Sequence, residues 1–507
     1  MQQKENRPVY RPKKIKKLLV ANRGEIAVRV MRTCKELGIQ TVAVFSEADR
    51  GALHVQMADE AYFIGPAPSK DSYLVEDKII EIAVQANVNA IHPGYGFLSE
   101  NAAFSEACKR KKIIFVGPSA SAIRVMGDKT MARTMMEEAG VPMAPGTTES
   151  IDDVVEASKI AREIGYPVII KAAAGGGGKG MRLVEDPAEF EQAMEMAQRE
   201  AESAFGDGRV FLEKYIVQPR HIEFQILADE HGNCIHLFER ECSIQRRHQK
   251  VVEEAPSSIL TPEVREAMGQ AAINAARACN YANAGTVEFL VDKDLNYYFM
   301  EMNTRLQVEH PVTELITGLD LVAEQLRVAE GEVLDIQQED VKMMGHSVEC
   351  RIYAEDPENN FLPSPGKLLV HRPPSGPGVR LDAGVEEGGE IPIHYDPMVA
   401  KLITHAENRE MAIRRMARAL DEYEVAGVKT TIPFCAFVMA HDSFVSGDMS
   451  THFVANHFKP EQLSDVTKEE ELAAAIVATW HVHQQQSPVE SFAAPAQTSK
   501  WRDRKVH

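Results

Sequence analysis

The feature that most restricts the fold of this 507-residue chain is an alternation of short apolar runs with helical repeats near the N-terminus. The stretch KLLVANRGEIAVRVMRTCKELGIQTVAVFS predicts buried strands at 18–20 and 41–45. Between them, apolar residues recur every four positions from Ile26 to Cys34, which indicates a helix. Strands that alternate with helices form parallel sheets covered on both faces. The sequence therefore predicts an α/β domain over residues 16–127.

Composition and charge limit the class of protein. The chain has 56 basic and 75 acidic residues, and its net charge of −19 argues against non-specific nucleic-acid binding. No apolar run approaches the roughly 20 residues that span a bilayer, so no membrane association is expected. The seven cysteines contain no CxxC pair, so the sequence gives no indication of a zinc site or of disulfides. This favours a cytoplasmic location. The basic arm, residues 1–15, is predicted to be solvated.

Glycine, proline and helix-capping residues divide the rest of the chain into segments. The stretch GDKTMARTMMEEAGVP predicts a helix that Asp128 caps. A small unit over about 142–215 contains a run of glycines, and residues 216–335 are rich in strand patterns and then helical. Another α/β segment covers 345–458, and a helical tail covers 459–507.

The glycine run AAAGGGGKGMR lies between two strand-like runs. It does not fit a dinucleotide-binding turn, because the strand-like MRLV follows it rather than a helix. It does not fit a Walker loop either, because Lys179 is followed by Gly180 rather than Ser or Thr. Backbone amides without Cβ atoms can close over phosphate oxygens, so the run predicts a phosphate flap rather than a linker. Lys171 before the flap and Lys129 in the capped helix would supply positive charge.

Three stretches alternate polar and apolar residues, RHIEFQIL, SVECRIYAE and FMEMNTRLQVE. As one strand, the last would place five polar side chains on one face: Glu301, Asn303, Arg305, Gln307 and Glu309. A solvated strand face is the simpler alternative, but the face is dense in acids and amides, and Glu288 interrupts the apolar strand TVEFLV. Glu288, Glu301 and Asn303 offer only oxygen ligands, which predicts Mg²⁺ or Mn²⁺ beside phosphates. Flap, lysines and carboxylates together predict an ATP·Mg site.

These residues lie in stretches that resemble the biotin carboxylase component of biotin-dependent carboxylases of the acyl-CoA type, within the ATP-grasp superfamily. The resemblance covers about 16–458 and rests on long motifs: KLLVANRGEIAVRV, HPGYGFLSEN, GDKTMAR, KAAAGGGGKGMR, EKYIVQPRHIEFQIL, CSIQRRHQKVVEEAP, FMEMNTRLQVEHPVTE, GHSVECRIYAEDP and YDPMVAKLI. It implies a mixed α/β (α+β) fold with an N-terminal Rossmann-like domain over 16–127. It further implies an ATP-grasp domain over 128–335, with a mobile glycine-rich lid at about 142–215, and a C-terminal biotin carboxylase domain over 345–458.

The same resemblance implies site residues, position by position. The implied ATP-binding residues are Lys129, Lys171, Gly177, Gly178, Met181, Glu213, Lys214, Tyr215, Ile216, His221, Gln245, His248, Glu288 and Glu301. The implied metal ligands are Glu288, Glu301 and Asn303. The implied bicarbonate pocket is Lys250, Arg305, Gln307, Val308 and Glu309. The implied biotin contacts are Tyr95, Gly96 and Arg351, and the catalytic residues are Lys250, Arg305, Glu309 and Arg351.

The implied reaction is the ATP- and Mg²⁺-dependent (or Mn²⁺-dependent) carboxylation of biotin. Glu309 would act as general base on bicarbonate, which attacks the γ-phosphate to give carboxyphosphate. Breakdown of carboxyphosphate gives CO₂, which the biotin enolate captures while Arg351 and Arg305 stabilise the enolate. A closed flap would exclude water from the intermediate.

Partners are implied as well. A biotin attachment site normally contains an Ala/Val-Met-Lys-Met turn, which this sequence lacks, so biotin is expected on a separate biotin carboxyl carrier protein. The resemblance also implies a homodimer and a separate carboxyltransferase subunit. In the tail, Leu472, Ile476, Trp480 and His483 fall on one helical face, which suggests contact with a partner or packing on the chain's own core.

Three alternatives remain open at this point. The carboxyl acceptor is expected to be an acyl-CoA such as acetyl-CoA or propionyl-CoA, but pyruvate and 2-oxoglutarate systems use similar subunits. Another ATP-grasp ligase could join a carboxylate to an amine. A regulatory nucleotide-binding protein without chemistry is the non-enzymatic alternative, against which the set Lys250, Arg305, Glu309 and Arg351 argues.

Overall fold

A computed structural model of the chain describes residues 14–147, 150–172, 181–463 and 468–486. The chain divides after Phe458 into two compact units, a large one that ends there and a second one from Lys459 onward. Among the described residues, no helix combines the length and the hydropathy needed to cross a bilayer.

The N-terminal part of the large unit is a parallel sheet of five strands with helices around it. Its elements are β1 (Lys17–Val20), α1 (Gly24–Glu36), β2 (Gln40–Ser46), α2 (Leu53–Met57), β3 (Glu60–Gly65), α3 (Glu76–Gln85), β4 (Ala90–His92), α4 (Ala102–Arg110), β5 (Ile114–Phe115) and α5 (Ala120–Gly127). The strand order is β3-β2-β1-β4-β5, with parallel neighbours. Leu18 and Leu19 of β1 enter two different core clusters, one on each face. The predicted covered parallel sheet is therefore confirmed.

The middle part contains a small antiparallel sheet and the larger share of a long one. Its elements are α6 (Lys129–Glu138), α7 (Val154–Ile164), β6 (Val168–Ala172), β7 (Met181–Val184), α8 (Phe190–Phe205), β8 (Val210–Lys214), β9 (Arg220–Ala228), β10 (Cys234–Arg246), β11 (Gln249–Ala255), α9 (Pro262–Ala278), β12 (Asn283–Val291), β13 (Tyr297–Asn303), α10 (His310–Thr317) and α11 (Leu321–Glu330). Asp128 caps α6 as predicted, because its carboxylate accepts hydrogen bonds from the amides of Thr130 and Met131.

The run MRLV is the strand β7, which pairs antiparallel with β6. This confirms the prediction that a strand, not a helix, follows the glycine run. The glycines themselves, including Gly177 and Gly178, lie outside the described residues, and so does the tip of the predicted flap.

The last part of the large unit is mainly antiparallel strand with helices packed around it. Its elements are β14 (His346–Tyr353), β15 (Glu355–Asp356), β16 (Leu362–Pro363), β17 (Gly366–Lys367), β18 (Val370–Arg372), β19 (Val379–Ala383), β20 (Glu390–Ile391), β21 (Met398–Ala406), α12 (Arg409–Asp421), β22 (Glu424–Ala426), α13 (Ile432–Ala440), α14 (Asp442–Ser446) and α15 (Phe453–His457). The second unit contains α16 (Lys468–Gln486), which confirms the predicted tail helix.

One antiparallel sheet of eight strands joins the middle and last parts, in the order β13-β12-β9-β10-β11-β14-β21-β19. One face of this sheet is apolar: Phe224 and Phe289 pack with α9, and Val348 and Leu402 pack with α12 and α13. The other face carries buried polar side chains, and α10 packs against it through Val312 and other apolar residues. The sheet therefore continues across the predicted boundary at 335–345, and the division into those two domains stays a prediction.

The interpretation of FMEMNTRLQVE as one strand is wrong. Strand β13 ends at Asn303, and residues 304–309 form a loop that leads into α10. Within β13, Glu301 pairs with Glu288 and Phe299 with Phe289, so Met300 is the extra residue of a β-bulge. The bulge shifts the alternation by one residue, which directs Phe299 and Met302 into the core.

Candidate active site

The register of the eight-stranded sheet aligns charged side chains in rows on its polar face. Glu301, Glu288, Glu223 and Arg240 are successive register partners across β13, β12, β9 and β10. On the other half of the sheet, Arg351, Lys401 and Asp382 are partners across β14, β21 and β19. Neighbouring strands lie about 4.8 Å apart, so each row brings its side chains within contact distance.

Lys250 on β11 lies at the centre of this face and contacts three glutamates. Its Nζ lies 2.8 Å from Glu288 Oε1 and 2.7 Å from Glu309 Oε1, and it also donates to Glu223. Burial by itself would lower the pKa of Lys250, but the three carboxylates raise it well above its usual value. The same ammonium, with His221, lowers the pKa of Glu288 against the effect of burial. The site is therefore a charged cluster at neutral pH.

Arg240 on β10 is fully buried and hydrogen-bonded through all of its nitrogens. Its Nε donates to Glu223 Oε1 at 2.6 Å. Its other nitrogens donate to Gln225, Thr313, Thr286 and Gln307 at 2.7–3.0 Å. A buried guanidinium is tolerated only when its donors are satisfied, and here they are.

The loop 304–309 crosses the polar face and connects its parts. Gln307 donates to Glu288 Oε1 at 2.7 Å and accepts from Arg240. Arg305 donates to Asn303 Oδ1 at 3.0 Å and to Glu100 Oε2 at 3.0 Å. Glu309 is the residue before α10, yet its side chain does not cap that helix and is left to contact other groups. The structure thus brings Lys250, Gln307 and Glu309 of the predicted bicarbonate pocket together, and Arg305 and Val308 lie in the same loop as the last two.

Arg351 joins Glu309 to a second buried carboxylate. It donates to Glu309 Oε2 at 2.9 Å and to Glu253 Oε1 at 2.6 Å. Burial raises the pKa of Glu253 to about 7 despite Arg351, with a further contribution from the charge of Glu309. For Glu309 itself, Lys250 and Arg351 lower the pKa in spite of burial, so it is ionised at neutral pH.

The predicted metal ligands are adjacent and offer oxygen atoms. Glu288 and Glu301 are register partners, and Asn303 Nδ2 lies 2.8 Å from Glu288 Oε1. Glu301 is exposed, and its carboxylate makes no hydrogen bond within the described part of the chain. Two carboxylates and an amide on paired strands are the donor types that a hard divalent cation such as Mg²⁺ takes, although here the Asn303 oxygen accepts from Arg305.

The described residues also contain a tighter group of potential ligands, His221, Glu223 and Glu288, whose ligand atoms lie within 4.8 Å of one another. His221 Nε2 lies 3.0 Å from Glu288 Oε2. Burial would lower the pKa of His221, but Glu288 and Glu223 raise it to about 9, so the imidazole is a cation at neutral pH. This group therefore pairs a buried imidazole with two carboxylates, one of which, Glu288, is also a predicted metal ligand.

The predicted phosphate-binding lysines, Lys129 and Lys171, lie close to each other and to Glu213. Lys171 on β6 donates to Glu213, and Arg133 donates to the other oxygen of the same carboxylate. Burial and the charge of Lys171 lower the pKa of Lys129, while Glu301 and Glu213 act in the opposite direction. Lys129 therefore lies within electrostatic reach of Glu301, a predicted metal ligand, and of Lys171 and Glu213.

The other predicted ATP-binding side chains occupy several environments. Lys214 Nζ donates to the carbonyls of Gly165 and Tyr166, and Tyr215 contacts His452. Gln245 Nε2 lies 2.9 Å from His221 Nδ1, which brings Gln245 into the cluster. The remaining positions are Met181, exposed on β7, Ile216, buried after β8, and His248, exposed in the turn between β10 and β11.

The predicted biotin-facing loop follows β4. Tyr95 donates through its hydroxyl to Glu25 Oε1, a residue in the first turn of α1. Gly96 has a φ of +65° and no neighbouring atom that an added side chain would meet, so its role is conformational freedom.

Several residues of the cluster were not predicted as site residues, notably Glu223, Arg240, Glu253, Glu100 and Lys401. One signal was available: FERECS places three consecutive charges inside the 13-residue strand β10, where burial demands partners. Glu100 and Lys401 gave no local signal, because their partners lie far away in the sequence.

Three family models match the chain. The model described as "Biotin carboxylase, N-terminal domain" matches residues 14–123. The model described as "Carbamoyl-phosphate synthase L chain, ATP binding domain" matches 128–337, and "Biotin carboxylase C-terminal domain" matches 349–456. Biotin carboxylase 1 of Bacillus subtilis is 56% identical over 444 residues, 87% of this chain and 99% of that protein. The chain belongs to the biotin carboxylase family.

Biotin carboxylases are ATP-dependent ligases that carboxylate biotin, and this is the enzyme class of the chain. One of the pyruvate carboxylase subunits of Methanothermobacter thermautotrophicus is 55% identical over 468 residues, which are 92% of this chain and 95% of that protein. Propionyl-CoA carboxylase alpha chain of Ruegeria pomeroyi is 52% identical over 488 residues, covering 92% of this chain and 72% of the relative.

Solved biotin carboxylases have the same fold. A complex of the Campylobacter jejuni enzyme with β-γ-ATP superposes with a TM-score of 0.84 at 49% identity, covering 88% of this chain and 99% of that one. The biotin carboxylase domain dimer of Hydrogenobacter thermophilus 2-oxoglutarate carboxylase, with MgADP, ADP and bicarbonate, gives 0.84 at 50% identity, covering 90% and 100%.

The buried Arg240 should be indispensable for stability. We expect Arg240→Met to destabilise the large unit by about 3–5 kcal/mol, because it leaves the buried Glu223 and several polar groups without their partner. Arg372→Met is the control, since Arg372 and Glu424 form an exposed pair whose loss costs at most about 1 kcal/mol. Urea unfolding monitored by circular dichroism compares the free energies of unfolding of the two variants, and equally small decreases would show that Arg240 is not indispensable.

Proposed function

We propose that the Lys250, Arg305, Glu309 and Arg351 group carboxylates carrier-borne biotin in two steps at one site. The observation that carries this proposal is the position of Glu309, whose carboxylate lies between Lys250 at 2.7 Å and Arg351 at 2.9 Å. Lys250 belongs to the residues predicted for bicarbonate and Arg351 to those predicted for biotin, and Glu309 contacts both.

In the first step, Glu309 accepts the bicarbonate proton. A bicarbonate oxygen then forms a bond to the γ-phosphorus of ATP while the bond from that phosphorus to ADP breaks. Lys250 and Arg305 neutralise the negative charge of the deprotonated bicarbonate, which has to approach the negatively charged triphosphate of ATP. The low pKa of Glu309 keeps its carboxylate ready to accept the proton at neutral pH.

Carboxyphosphate then releases CO₂ as its carbon–oxygen bond breaks. The phosphate takes the N1′ proton of biotin, and the ring nitrogen attacks CO₂. Arg351 is the group we assign to the enolate oxygen of the ureido ring, because a guanidinium keeps its charge and offers a planar pair of donors. Tyr95 and Gly96 would form the wall against which the ring lies.

Lys129 and Lys171 would bind the phosphates of ATP, together with Met181, Glu213 and the Gly177–Gly178 amides. Glu288, Glu301 and Asn303 would hold Mg²⁺ or Mn²⁺, which when bound screens the charge of the β- and γ-phosphates. His221 and Gln245 support this set from β9 and β10 through their mutual contact.

Loss of the Glu309 carboxylate should abolish the first step. We expect Glu309→Gln to lower bicarbonate-dependent ADP release by about 10²–10⁴-fold, because the amide fills the same space but cannot accept the proton. Arg351→Ala should instead remove the stimulation of ADP release by free biotin. The assay is ADP release at saturating Mg·ATP, with and without bicarbonate and biotin.

Glu358→Gln provides the matched control, because Glu358 is exposed and its carboxylate accepts one hydrogen bond, from Lys429, in the described part of the chain. It should behave as the wild type. Glu309→Gln with unchanged bicarbonate-dependent turnover would refute the assignment of the base, and a wild type indifferent to biotin would favour the ligase or regulatory alternatives.

The carboxyl group has to leave this enzyme, so we propose two partners, a separate biotin carboxyl carrier protein and a carboxyltransferase, with the cytoplasm as location. A homodimer is proposed by analogy with the 2-oxoglutarate carboxylase domain, which is described as a dimer. The tail helix α16 follows the segment that matches the family and is a candidate contact for these partners.

We propose an acyl-CoA, acetyl-CoA or propionyl-CoA, as the final acceptor. The similarity to a propionyl-CoA carboxylase alpha chain supports it. The similarities to a 2-oxoglutarate carboxylase and to a pyruvate carboxylase favour the second candidate, a 2-oxo acid. The chain, tagged and purified with its native partners, should transfer label from [¹⁴C]bicarbonate to an acyl-CoA. Transfer to pyruvate or 2-oxoglutarate alone would establish the second candidate.

A further inference from the structure

Lys401 is a buried cation outside the group to which we have assigned chemistry. Its side chain on β21 is completely buried, and its Nζ donates to the backbone carbonyl of Val308 at 2.8 Å. It also lies 3.3 Å from Glu25 Oε2 and 3.8 Å from Asp382 Oδ2. Val308 is in the loop that carries Gln307 and Glu309, so Lys401 holds the backbone of the bicarbonate pocket.

Charge pairing with Asp382 does not explain this lysine. Asp382 already accepts two hydrogen bonds from Arg380, at 3.1 and 2.8 Å. A buried ammonium costs several kcal/mol of desolvation, and an apolar side chain of equal size would pack without that cost. What the ammonium supplies specifically is a donor to the Val308 carbonyl and a charge partner for Glu25.

Glu25 extends the connection to the opposite side of the site. Its other carboxylate oxygen accepts the hydroxyl of Tyr95, in the loop assigned to biotin. Gly384 packs on its backbone so closely that a Cβ added to Gly384 would lie 2.3 Å from Glu25 N. Four residues from three parts of the large unit thus form one chain of contacts, Tyr95–Glu25–Lys401–Val308.

We propose that Lys401 and Glu25 are positioning residues that fix the bicarbonate loop and the biotin-facing loop relative to each other. This proposal rests on the proposed function of Val308 and Tyr95. Neither residue of the pair touches the reacting atoms. They align two pockets that must exchange CO₂ before water captures it.

The test uses Lys401→Met, which preserves length and packing but removes the donor and the charge. We expect its KM for bicarbonate and its KM for free biotin to rise about tenfold, as for loss of a hydrogen bond from a charged group, with the KM for ATP unchanged. Tyr95→Phe should raise only the KM for biotin. In the variant that combines Lys401→Met with Tyr95→Phe, the effects on the KM for biotin should be less than additive, because both substitutions act through Glu25.

Two variants guard against trivial outcomes. The first combines Lys401→Met with Glu25→Gln, which removes both members of the buried pair. We expect it to fold even if Lys401→Met alone does not, and to show the same rises in the KM for bicarbonate and the KM for biotin. Lys367→Met, at an exposed lysine on β17, should match the wild type. A uniform fall in kcat with all KM values unchanged would overturn the proposal. Additive effects on the KM for biotin in the variant that combines Lys401→Met with Tyr95→Phe would overturn it as well.

Hydrogen exchange separates this proposal from the proposed function. In the absence of substrates, peptides that cover residues 300–312 should exchange faster in Lys401→Met than in the wild type, while peptides of the N-terminal sheet should not. Unchanged exchange there would refute the positioning role even in an active enzyme. If exchange is faster in Lys401→Met but the wild type shows no bicarbonate-dependent turnover, Lys401 positions the loop and the proposed function is refuted.

Discussion

The ion pairs of Lys250 with Glu223, Glu288 and Glu309 are the interaction on which the rest of the site depends. Three carboxylates in a buried cleft repel one another strongly, and only a cation between them makes the arrangement tolerable. Arg240, Arg351 and His221 surround the same cluster and supply further positive charge. Such a network is poor as a source of stability. In the proposed function it supplies preorganised charges for a reaction between two anions.

The antiparallel sheet provides the rigidity that this network requires. Its register aligns Glu301, Glu288, Glu223 and Arg240 in one row, and Arg351, Lys401 and Asp382 in another. The loop 304–309 contacts both rows: Gln307 bonds to Glu288 and Arg240, while Glu309 accepts from Arg351 and the Val308 carbonyl accepts from Lys401. Because the sheet continues from the ATP-binding part into the C-terminal part, the two halves of the reaction share one continuous scaffold.

The sequence predicted best those features that depend on neighbours along the chain. Helix α1, the cap of α6 by Asp128 and the strand after the glycine run follow from local periodicity and capping. The alternation beyond Asn303 misled, because Arg305, Gln307 and Glu309 face separate partners from a loop and not one face of a strand. Arg240 and Lys401 could not be assigned locally, since the groups that neutralise them come from distant strands and helices. Residue types alone predicted an ATP·Mg site, the resemblance of the motifs added bicarbonate and biotin, and the geometry came only from the structure.

In the proposed function, a bicarbonate oxygen attacks the γ-phosphate of ATP at the cluster around Lys250 and Glu309. The most direct measurement is the fate of oxygen from [¹⁸O]bicarbonate during turnover with unlabelled ATP. Attack at phosphorus followed by breakage of the carbon–oxygen bond leaves one labelled oxygen on inorganic phosphate, so mass spectrometry should find one ¹⁸O in each phosphate released with carboxybiotin. Phosphate without label, formed at the same rate as carboxybiotin, would contradict the account, because water rather than bicarbonate would then have attacked the phosphorus.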